Sequence, residues 1–307
     1  MARELTQEIL SSQLRACIPR LGGGLHKGQL GRLGIIGGSF EYTGAPYYAA
    51  TSGYRTGSDL AYIFCCRDAG LPIKSYSPEN IVLPILRTTA EAEQDFHISP
   101  GDSLTTEQYE QAKAQIVDDL KAWIKPLHAL VVGPGLGRDP LVLSCAMAAI
   151  AAARDRDLPI VLDGDALFAL NDDLDAIQGY TRAILTPNPA EFKRLYLNVA
   201  ASLDTAEVAP LSSLSPDPSS SSPLLEGDDG PAEPMRLEIP KGETNMSASQ
   251  SSLAQSQAIL PNDEEAIWAP KSVKTIAAAL GGVTIIRKGA TDVISDGRRL
   301  IQCNRSG

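Results

Sequence analysis

The sequence predicts an α/β protein built on a mostly parallel sheet. Short runs of Val, Ile and Leu alternate with longer helix-like stretches, which is typical of β-α-β units with right-handed crossovers. Three of these runs end in turn residues that precede a helix, in the segments LVVGPGLGRDP (130–140), PIVLDGDAL (159–167) and AILTPNPAEF (183–192). Because ligands of α/β proteins bind at the carboxyl ends of parallel strands, we expect the functional site at this edge of the sheet.

The strand-like segments share a short apolar, often β-branched composition bounded by turn residues. They are RLGIIG (32–37), LAYIFC (60–65), HALVVG (128–133), PIVLD (159–163), RAILT (182–186), VTIIRK (283–288), DVISD (292–296) and LIQC (300–303). The last two are predicted to form an antiparallel hairpin, because Asp296-Gly297 is a tight-turn signal. Helices are predicted between the other strands, including Ala45–Gly57, Glu107–Lys125 and Pro140–Arg156.

Residues 198–265 interrupt this alternation. Serine, proline, glycine and acidic residues dominate the segment, as in SLSPDPSSSSPLLEGDDGPAEP, and periodic hydrophobicity is almost absent. We interpret it as a disordered surface insertion within a single domain spanning residues 1–307. The alternative is a linker between two domains, but the segment Ile267–Gly307 is short for an independent core.

Composition and charge argue against several classes of function. The formal net charge of −10 disfavours nucleic acid and anionic membrane surfaces as partners, and no stretch is apolar enough to span a membrane. The five cysteines lack metal-type spacing, and Cys65 and Cys66 fall within an apolar strand, which predicts buried free thiols and a reducing compartment. The N-terminus does not have the pattern of a secretory signal. We expect a cytoplasmic protein, with a mitochondrial form left open.

The first candidate binding element is the glycine-rich turn GPGLGRDP (133–140). Asp139 can cap the following helix and Pro140 can occupy its first position, which would leave free backbone N–H groups facing the strand end. This arrangement predicts a cradle for an anion or phosphate. Glycines that only permit a tight turn would give the same pattern. The GPGLG spacing, without an acidic residue at Rossmann distance, argues against a dinucleotide-binding fold of that type.

The second candidate element is the turn NPAE. Asn188 can cap the next helix, Pro189 can occupy its first position and Glu191 can complete a capping box. Capping alone explains these residues, but this turn should lie beside the strand that ends at Asp163 and Asp165, so several polar groups should converge on one cleft. The two aspartates are ordinary turn residues or candidates for polar ligand contacts and metal-bound water.

The order and spacing of several segments carry a family resemblance. They are Lys27-Gly28 with Gly31, IIGGSFEYTGAPYYAA (35–50), LAYIFC, GPGLGRDP, LDGDAL, TPNPAEF and IRKGATDVISDG (286–297). In these segments, the chain resembles the ATP-dependent NAD(P)H-hydrate dehydratase family of the ribokinase-like superfamily. The resemblance implies a three-layer fold with helices on both faces of the sheet. It also implies ATP and Mg²⁺ as cofactors and a reaction in which ATP phosphorylates the hydroxyl of hydrated NADH or NADPH, after which loss of phosphate regenerates the dinucleotide.

The resemblance also divides the site residues into two groups. The hydrated dinucleotide would be bound by Gly135 together with Asn188, Pro189, Ala190, Glu191, Phe192, Lys193 and Arg194. ATP would be contacted by Lys288, Gly289, Ala290, Thr291 and Asp292. A lysine at a strand end followed by a glycine suits the approach of a nucleotide. The substrate side is further expected to include Gly37, Gly38, Tyr42, Thr43, Gly44 and Pro46.

The sequence departs from the family pattern after its last strand. Family members continue into a GGQGD-type loop, whose glycines form an anion hole and whose aspartate is the base for the substrate hydroxyl. The sequence as given ends at Gly307 before such a loop, so we assign no catalytic residue within it and expect a C-terminally incomplete enzyme with impaired activity. Two alternatives stay open: a non-catalytic nucleotide-binding chain that lends a surface to a homo-oligomer, and a different small-molecule kinase of the superfamily.

Overall fold

The fold is seen in a computed structural model that describes residues 23–24, 26–207 and 264–304, together with Ser12 and Arg15. The strands of this part of the chain are β1 (Arg32–Ile36), β2 (Leu60–Cys66), β3 (Ile81–Leu86), β4 (Ala129–Val132), β5 (Ile160–Leu162), β6 (Ala183–Leu185), β7 (Thr284–Arg287), β8 (Thr291–Ser295) and β9 (Leu300–Asn304). They form one sheet in the order β3-β2-β1-β4-β5-β6-β7-β8-β9. Strands β1 to β7 are parallel, whereas β8 and β9 are added as antiparallel hairpin strands.

The helices connect the parallel strands. They are α1 (Gly44–Arg55), α2 (Arg67–Tyr76), α3 (Thr89–Asp95), α4 (Thr106–Ile124), α5 (Pro140–Arg154), α6 (Asp165–Leu170), α7 (Pro189–Glu207), α8 (Glu264–Trp268) and α9 (Pro270–Ala279), with a 3₁₀ turn at Leu174–Ala176. Ala50 of α1 and Ile73 of α2 pack in one buried cluster with Ile35 and Ile63 of the sheet. Strand order runs in opposite directions from β1 and β4, so right-handed crossovers place the later helices on the other face. The predicted α/β architecture is confirmed.

Strand β3 is absent from the sequence-based prediction. The run IVLPIL contains Pro84, which cannot donate a ladder hydrogen bond and therefore argues against a central strand. Among the described strands, β3 pairs only with β2, so it lies at the edge of the sheet, where a proline is tolerated. The other predicted strands are confirmed to within two residues at each end.

The predicted insertion begins too early. Helix α7 continues to Glu207, and its residue Val199 is buried, so the stretch 198–207 is helical rather than part of an irregular segment. Helix α8 likewise begins at Glu264. Residues 208–263 lie outside the described residues. Strands β6 and β7, which flank this stretch in the sequence, pair directly, which confirms that both sides contribute to one sheet. A single domain over residues 1–307 stays a prediction.

Most described cysteines behave as expected from composition. Cys65, Cys66 and Cys145 are buried free thiols, and burial raises the pKa of each to about 12. Cys303 is exposed because it lies on β9, the antiparallel edge of the sheet. In the described part of the chain, every helix is too short or too polar to cross a membrane.

Candidate functional site

The candidate site lies at the carboxyl ends of the parallel strands. Strand β1 pairs with β2 on one side and with β4 on the other, and the direction of strand order reverses between β1 and β4. Open α/β sheets bind their ligands in the crevice formed at such a reversal. The turns that follow β1, β4, β5, β6 and β7 all reach this edge, so the glycine-rich and polar motifs of the sequence are brought together there.

The turns after β1 and β4 are interlocked through glycines. The N–H of Gly38 donates to the carbonyl oxygen of Gly135 over 3.0 Å. A Cβ on Gly37 would lie 2.2 Å from the carbonyl oxygen of Pro134, and a Cβ on Gly135 would lie 2.7 Å from that of Tyr42. Gly135 also has a φ of +59°, which non-glycine residues rarely adopt. These glycines are therefore required by the packing of two loops against each other, independently of any ligand.

The backbone N–H groups at the start of α5, which are predicted to bind an anion, donate instead to a side chain of the protein itself. Asp139 caps the helix as predicted, and its Oδ1 accepts hydrogen bonds from the N–H groups of Leu141 at 3.0 Å and Val142 at 3.2 Å. The same carboxylate also accepts from the backbone and hydroxyl of Thr89. The expectation of free helix N–H groups is wrong for α5, because an internal carboxylate already satisfies them.

The turn that precedes α5 retains other donors. The N–H of Gly137 donates to Oδ2 of Asp165 over 2.9 Å, so this aspartate holds the turn rather than facing solvent freely. Among the described residues, the backbone N–H groups of Gly135 and Arg138 have no hydrogen-bond partner. Unpaired N–H groups at the end of a strand can bind an oxygen of a ligand. The unpaired N–H groups of this region thus lie in the turn, five and two residues before Pro140, rather than at the start of the helix.

Asn188 and Glu191 form the predicted capping box. The N–H of Glu191 donates to Oδ1 of Asn188 over 3.0 Å, and the N–H of Asn188 donates to Oε2 of Glu191 over 2.8 Å. Pro189 occupies the first helical position, as expected. Asn188, Pro189 and Ala190 are exposed at the candidate site, so the start of α7 is open to a ligand.

The later residues of this segment point in different directions. Phe192 is fully buried and packs against Tyr196, with the guanidinium of Arg287 5.2 Å from its ring centroid. Its predicted direct contact with a dinucleotide is therefore corrected to a role in the core. Lys193 forms an ion pair with Glu264 at 2.6 Å, which lowers the pKa of that carboxyl group. Arg194 is exposed.

Lys288, Asp163 and Thr186 form the most polar cluster of the site. Lys288 Nζ lies 2.7 Å from Oδ1 of Asp163, and the hydroxyl of Thr186 donates to the same oxygen over 2.7 Å. The backbone N–H of Lys288 also donates to the carbonyl of Pro187 over 2.9 Å. The side chains of Lys288 and Asp163 are 41% and 33% exposed, so the pair is accessible to a ligand. The sequence motifs include Lys288 and Asp163 but do not predict that these two side chains touch.

The remaining residues predicted to contact ATP form the turn between β7 and β8. The N–H of Gly289 donates to Oδ1 of Asp292 over 2.9 Å, which closes the turn. Ala290 is exposed, and Thr291 and Asp292 are partly exposed. The turn therefore exposes a short stretch of backbone that directly follows Lys288 in the sequence.

Of the residues expected on the substrate side, only some reach the surface. Gly37, Gly38 and Pro46 are buried within the fold, whereas Tyr42 is exposed. Thr43 and Gly44 are partly exposed, and the Thr43 hydroxyl shares a hydrogen bond of 2.6 Å with the hydroxyl of Tyr76. The buried members shape the turn but have no surface to offer a ligand.

The chain is similar to known proteins in sequence and in fold. A family model described as NAD(P)H-hydrate dehydratase matches residues 33–211. The ATP-dependent (S)-NAD(P)H-hydrate dehydratase of Physcomitrium patens is 34% identical over 301 residues, which cover 98% of this chain and 70% of the relative. The enzyme of the same name from Vitis vinifera is 36% identical over 284 residues, with coverage of 92% and 60%. A ribokinase-like superfamily protein of Enterococcus faecalis superposes with a TM-score of 0.55 at 15% identity, covering 94% of this chain and 67% of that chain.

The sheet order, its hairpin extension and this structural likeness define a ribokinase-like α/β fold. Within that class, the chain belongs to the NAD(P)H-hydrate dehydratase family. It spans 70% and 60% of the length of the two curated relatives.

Proposed function

We propose that this protein is an ATP-dependent (S)-NAD(P)H-hydrate dehydratase. In this reaction, the hydroxyl of hydrated NADH or NADPH receives the terminal phosphoryl group of ATP, which leaves ADP. The hydroxyl oxygen loses its proton as the new O–P bond forms. The C–O bond of this phosphate ester then breaks, inorganic phosphate leaves, a proton is lost from the neighbouring carbon, and the ring double bond is restored. Membership of the family supports this assignment, and the relatives that match most of the chain carry this name.

The observation that carries the proposal is the cluster of Lys288, Asp163 and Thr186. An ammonium group held at a strand end, beside a glycine turn, fits the phosphates of a nucleotide, because it supplies a positive charge without blocking the approach. The cluster also fixes the lysine in the absence of ligand, since its carboxylate partner is itself held by the Thr186 hydroxyl. Lys288 would thus orient and neutralise phosphate oxygens.

The carboxylates fit a magnesium ion that arrives with the nucleotide. Among the described residues, no three His, Cys, Asp or Glu side chains come together as a ready-made metal site. Nucleotide-bound Mg²⁺ requires only one or two carboxylates, because phosphates and water complete its coordination. Oδ2 of Asp163 makes no hydrogen bond within the described part of the chain, so this oxygen is available. ATP and Mg²⁺, when bound, supply the phosphoryl group and shield its charge.

The hydrated dinucleotide is proposed to bind between the Gly135 turn and the start of α7. The unpaired N–H of Gly135 can donate to the ligand, and Asn188, Pro189 and Ala190 provide an exposed surface at a helix N-terminus. The capping box keeps this helix start rigid. We also propose that the protein is cytoplasmic and that it can form a homo-oligomer.

The test measures two products in one reaction. Hydrated NADH, ATP and Mg²⁺ are incubated with the protein, and the rise of the reduced-nicotinamide absorbance is compared with the formation of ADP. The proposal predicts equal amounts of NADH and ADP, and no NADH when ATP is omitted. ADP formation without NADH would instead indicate a kinase for another small molecule and would contradict the proposal.

A further inference from the structure

Arg138 lies at the candidate site in an arrangement that the assigned roles do not explain. It follows the glycine turn of β4 and immediately precedes the capping residue of α5. Its guanidinium lies 4.4 Å from the centroid of the Phe168 ring, and its Nε is 3.6 Å from Oδ1 of Asp165. The ring contact and the carboxylate both restrict the position of the guanidinium.

The other edge of this guanidinium is free. The side chain is 60% exposed, and its two terminal nitrogens make no hydrogen bond within the described part of the chain. Arg287 provides a contrast, because it also lies near an aromatic ring but is buried and donates to the carbonyl oxygens of Ile267 and Trp268. Arg287 therefore has a structural role. The two terminal nitrogens of the planar Arg138 guanidinium, in contrast, have no acceptor in the described part of the chain.

The turn that carries Arg138 also has main-chain hydrogen-bond donors. The backbone N–H groups of Gly135 and Arg138 are both unpaired among the described residues. A phosphate group has several acceptor oxygens, and a guanidinium can bind two of them with parallel hydrogen bonds. A planar fork with neighbouring backbone N–H groups is suited to a phosphate more than to a neutral ligand.

We propose that Arg138 binds a phosphate group of the dinucleotide and thereby favours it over ligands that have the same ring but no phosphate. This inference rests on the proposed function for the identity of the ligand. The phosphates of ATP are assigned to Lys288 at the end of β7, whereas Arg138 follows β4, with β5 and β6 lying between these two strands in the sheet. Arg138 acts in binding and positioning, and it takes no part in proton transfer.

The experiment compares binding of NADH and ATP to the chain by calorimetry. Arg138→Gln removes the charge, Arg138→Lys keeps the charge without the planar fork, and Arg182→Gln is the control. Arg182 is likewise an exposed arginine paired with one carboxylate, Asp157, but it precedes β6 at the opposite edge of the sheet. We expect Arg138→Gln to weaken NADH binding by about tenfold or more, since hydrogen bonds to charged groups contribute strongly. Arg138→Lys should recover part of this loss, and Arg182→Gln should bind like wild type.

ATP binding separates this role from a general effect on the fold. The affinity for ATP should change by less than about twofold in Arg138→Gln. Two strands, β5 and β6, separate Arg138 at the end of β4 from Lys288 at the end of β7, and charges at such a separation on an exposed surface are largely screened. Unchanged NADH affinity in Arg138→Gln, or equal losses for NADH and ATP, would overturn the inference, as would a wild-type chain that binds no NADH. NADH binding that depends on Arg138, together with no ATP-dependent dehydration of hydrated NADH by the chain extended with a GGQGD-type loop, would sustain the inference and contradict the proposed function alone.

Discussion

The two halves of the candidate site are built by different kinds of contact. Around β1 and β4, glycine backbones approach so closely that a Cβ on Gly37 or Gly135 would overlap a carbonyl oxygen. Around β5, β6 and β7, the contacts are made by side chains, with Lys288 and Thr186 both bonded to Asp163. The first half depends on shape and is sensitive to any added atom. The second half depends on charge and is partly exposed. Substitutions there should therefore leave folding largely intact while reducing the affinity for anions.

The largest expected effect is on the stability of the glycine half. Gly135→Val places a β-branched side chain at a φ of +59° and against the backbone of Tyr42, so we expect the free energy of unfolding to fall by about 3 kcal/mol. Gly57→Ala is the control, because Gly57 also has a positive φ but its Cβ would meet no described atom within 4 Å. Denaturant unfolding followed by circular dichroism measures both. Equal, small losses in the two variants would show that the interlocked turns are not tightly packed.

The next effect concerns the charged half. Lys288→Gln should reduce ATP affinity by about ten- to a hundredfold, because it removes the positive charge and a strong hydrogen-bond donor. The unfolding midpoint should change little, since the side chain is 41% exposed. Lys113→Gln is the matched control, because Lys113 is also a partly exposed lysine paired with a carboxylate, Glu110, and lies on α4, outside the segments predicted to contact ATP. Calorimetry with ATP and Mg²⁺ gives the comparison, and wild-type affinity in Lys288→Gln would remove this lysine from the ATP site.

The smallest effect concerns the start of α7, the helix that follows β6. Asn188→Ala should lower the free energy of unfolding by about 1 kcal/mol through loss of the cap and should also weaken NADH binding. Thr105→Ala removes an equivalent capping box at the start of α4 and should cost similar stability with no effect on binding. Parallel loss of NADH affinity in both variants would mean that stability, rather than the position of Asn188, controls binding.

The fold could be predicted from the sequence because its signals are local. Apolar runs bounded by turn residues identify most strands, and alternation with helices implies a parallel sheet. Strand β3 is not predicted in this way, because Pro84 is compatible with a strand only at a sheet edge. The position of a strand at an edge becomes known only when the whole sheet is assembled. The end of α7 escapes it because the sequence near Val199 turns polar and small before the helix ends.

The site could be predicted only in part, because its decisive contacts are not local. Lys288 and Asp163 are 125 positions apart in the sequence and meet through the neighbouring ends of β5, β6 and β7. The helix N-terminus of α5 fits an anion by its sequence, but the carboxylate of its own capping residue satisfies the donors. Arg138 has no distinguishing pattern until Phe168 and Asp165 are placed against it.

The most direct measurement of the central claim is ATP-dependent turnover of hydrated NADH with and without a GGQGD-type loop. Polypeptide 1–307, which contains no such loop, is compared with a chimera in which a segment containing a GGQGD-type loop follows Gly307. The chimera should form NADH and ADP in equal amounts, and polypeptide 1–307 should be slower by a factor of about 10² or more, because the family resemblance implies that this loop supplies the base and the anion hole. Equal turnover by both would contradict the role given to that loop, and no ATP-dependent NADH from the chimera would contradict the assignment of this site to the dehydratase reaction.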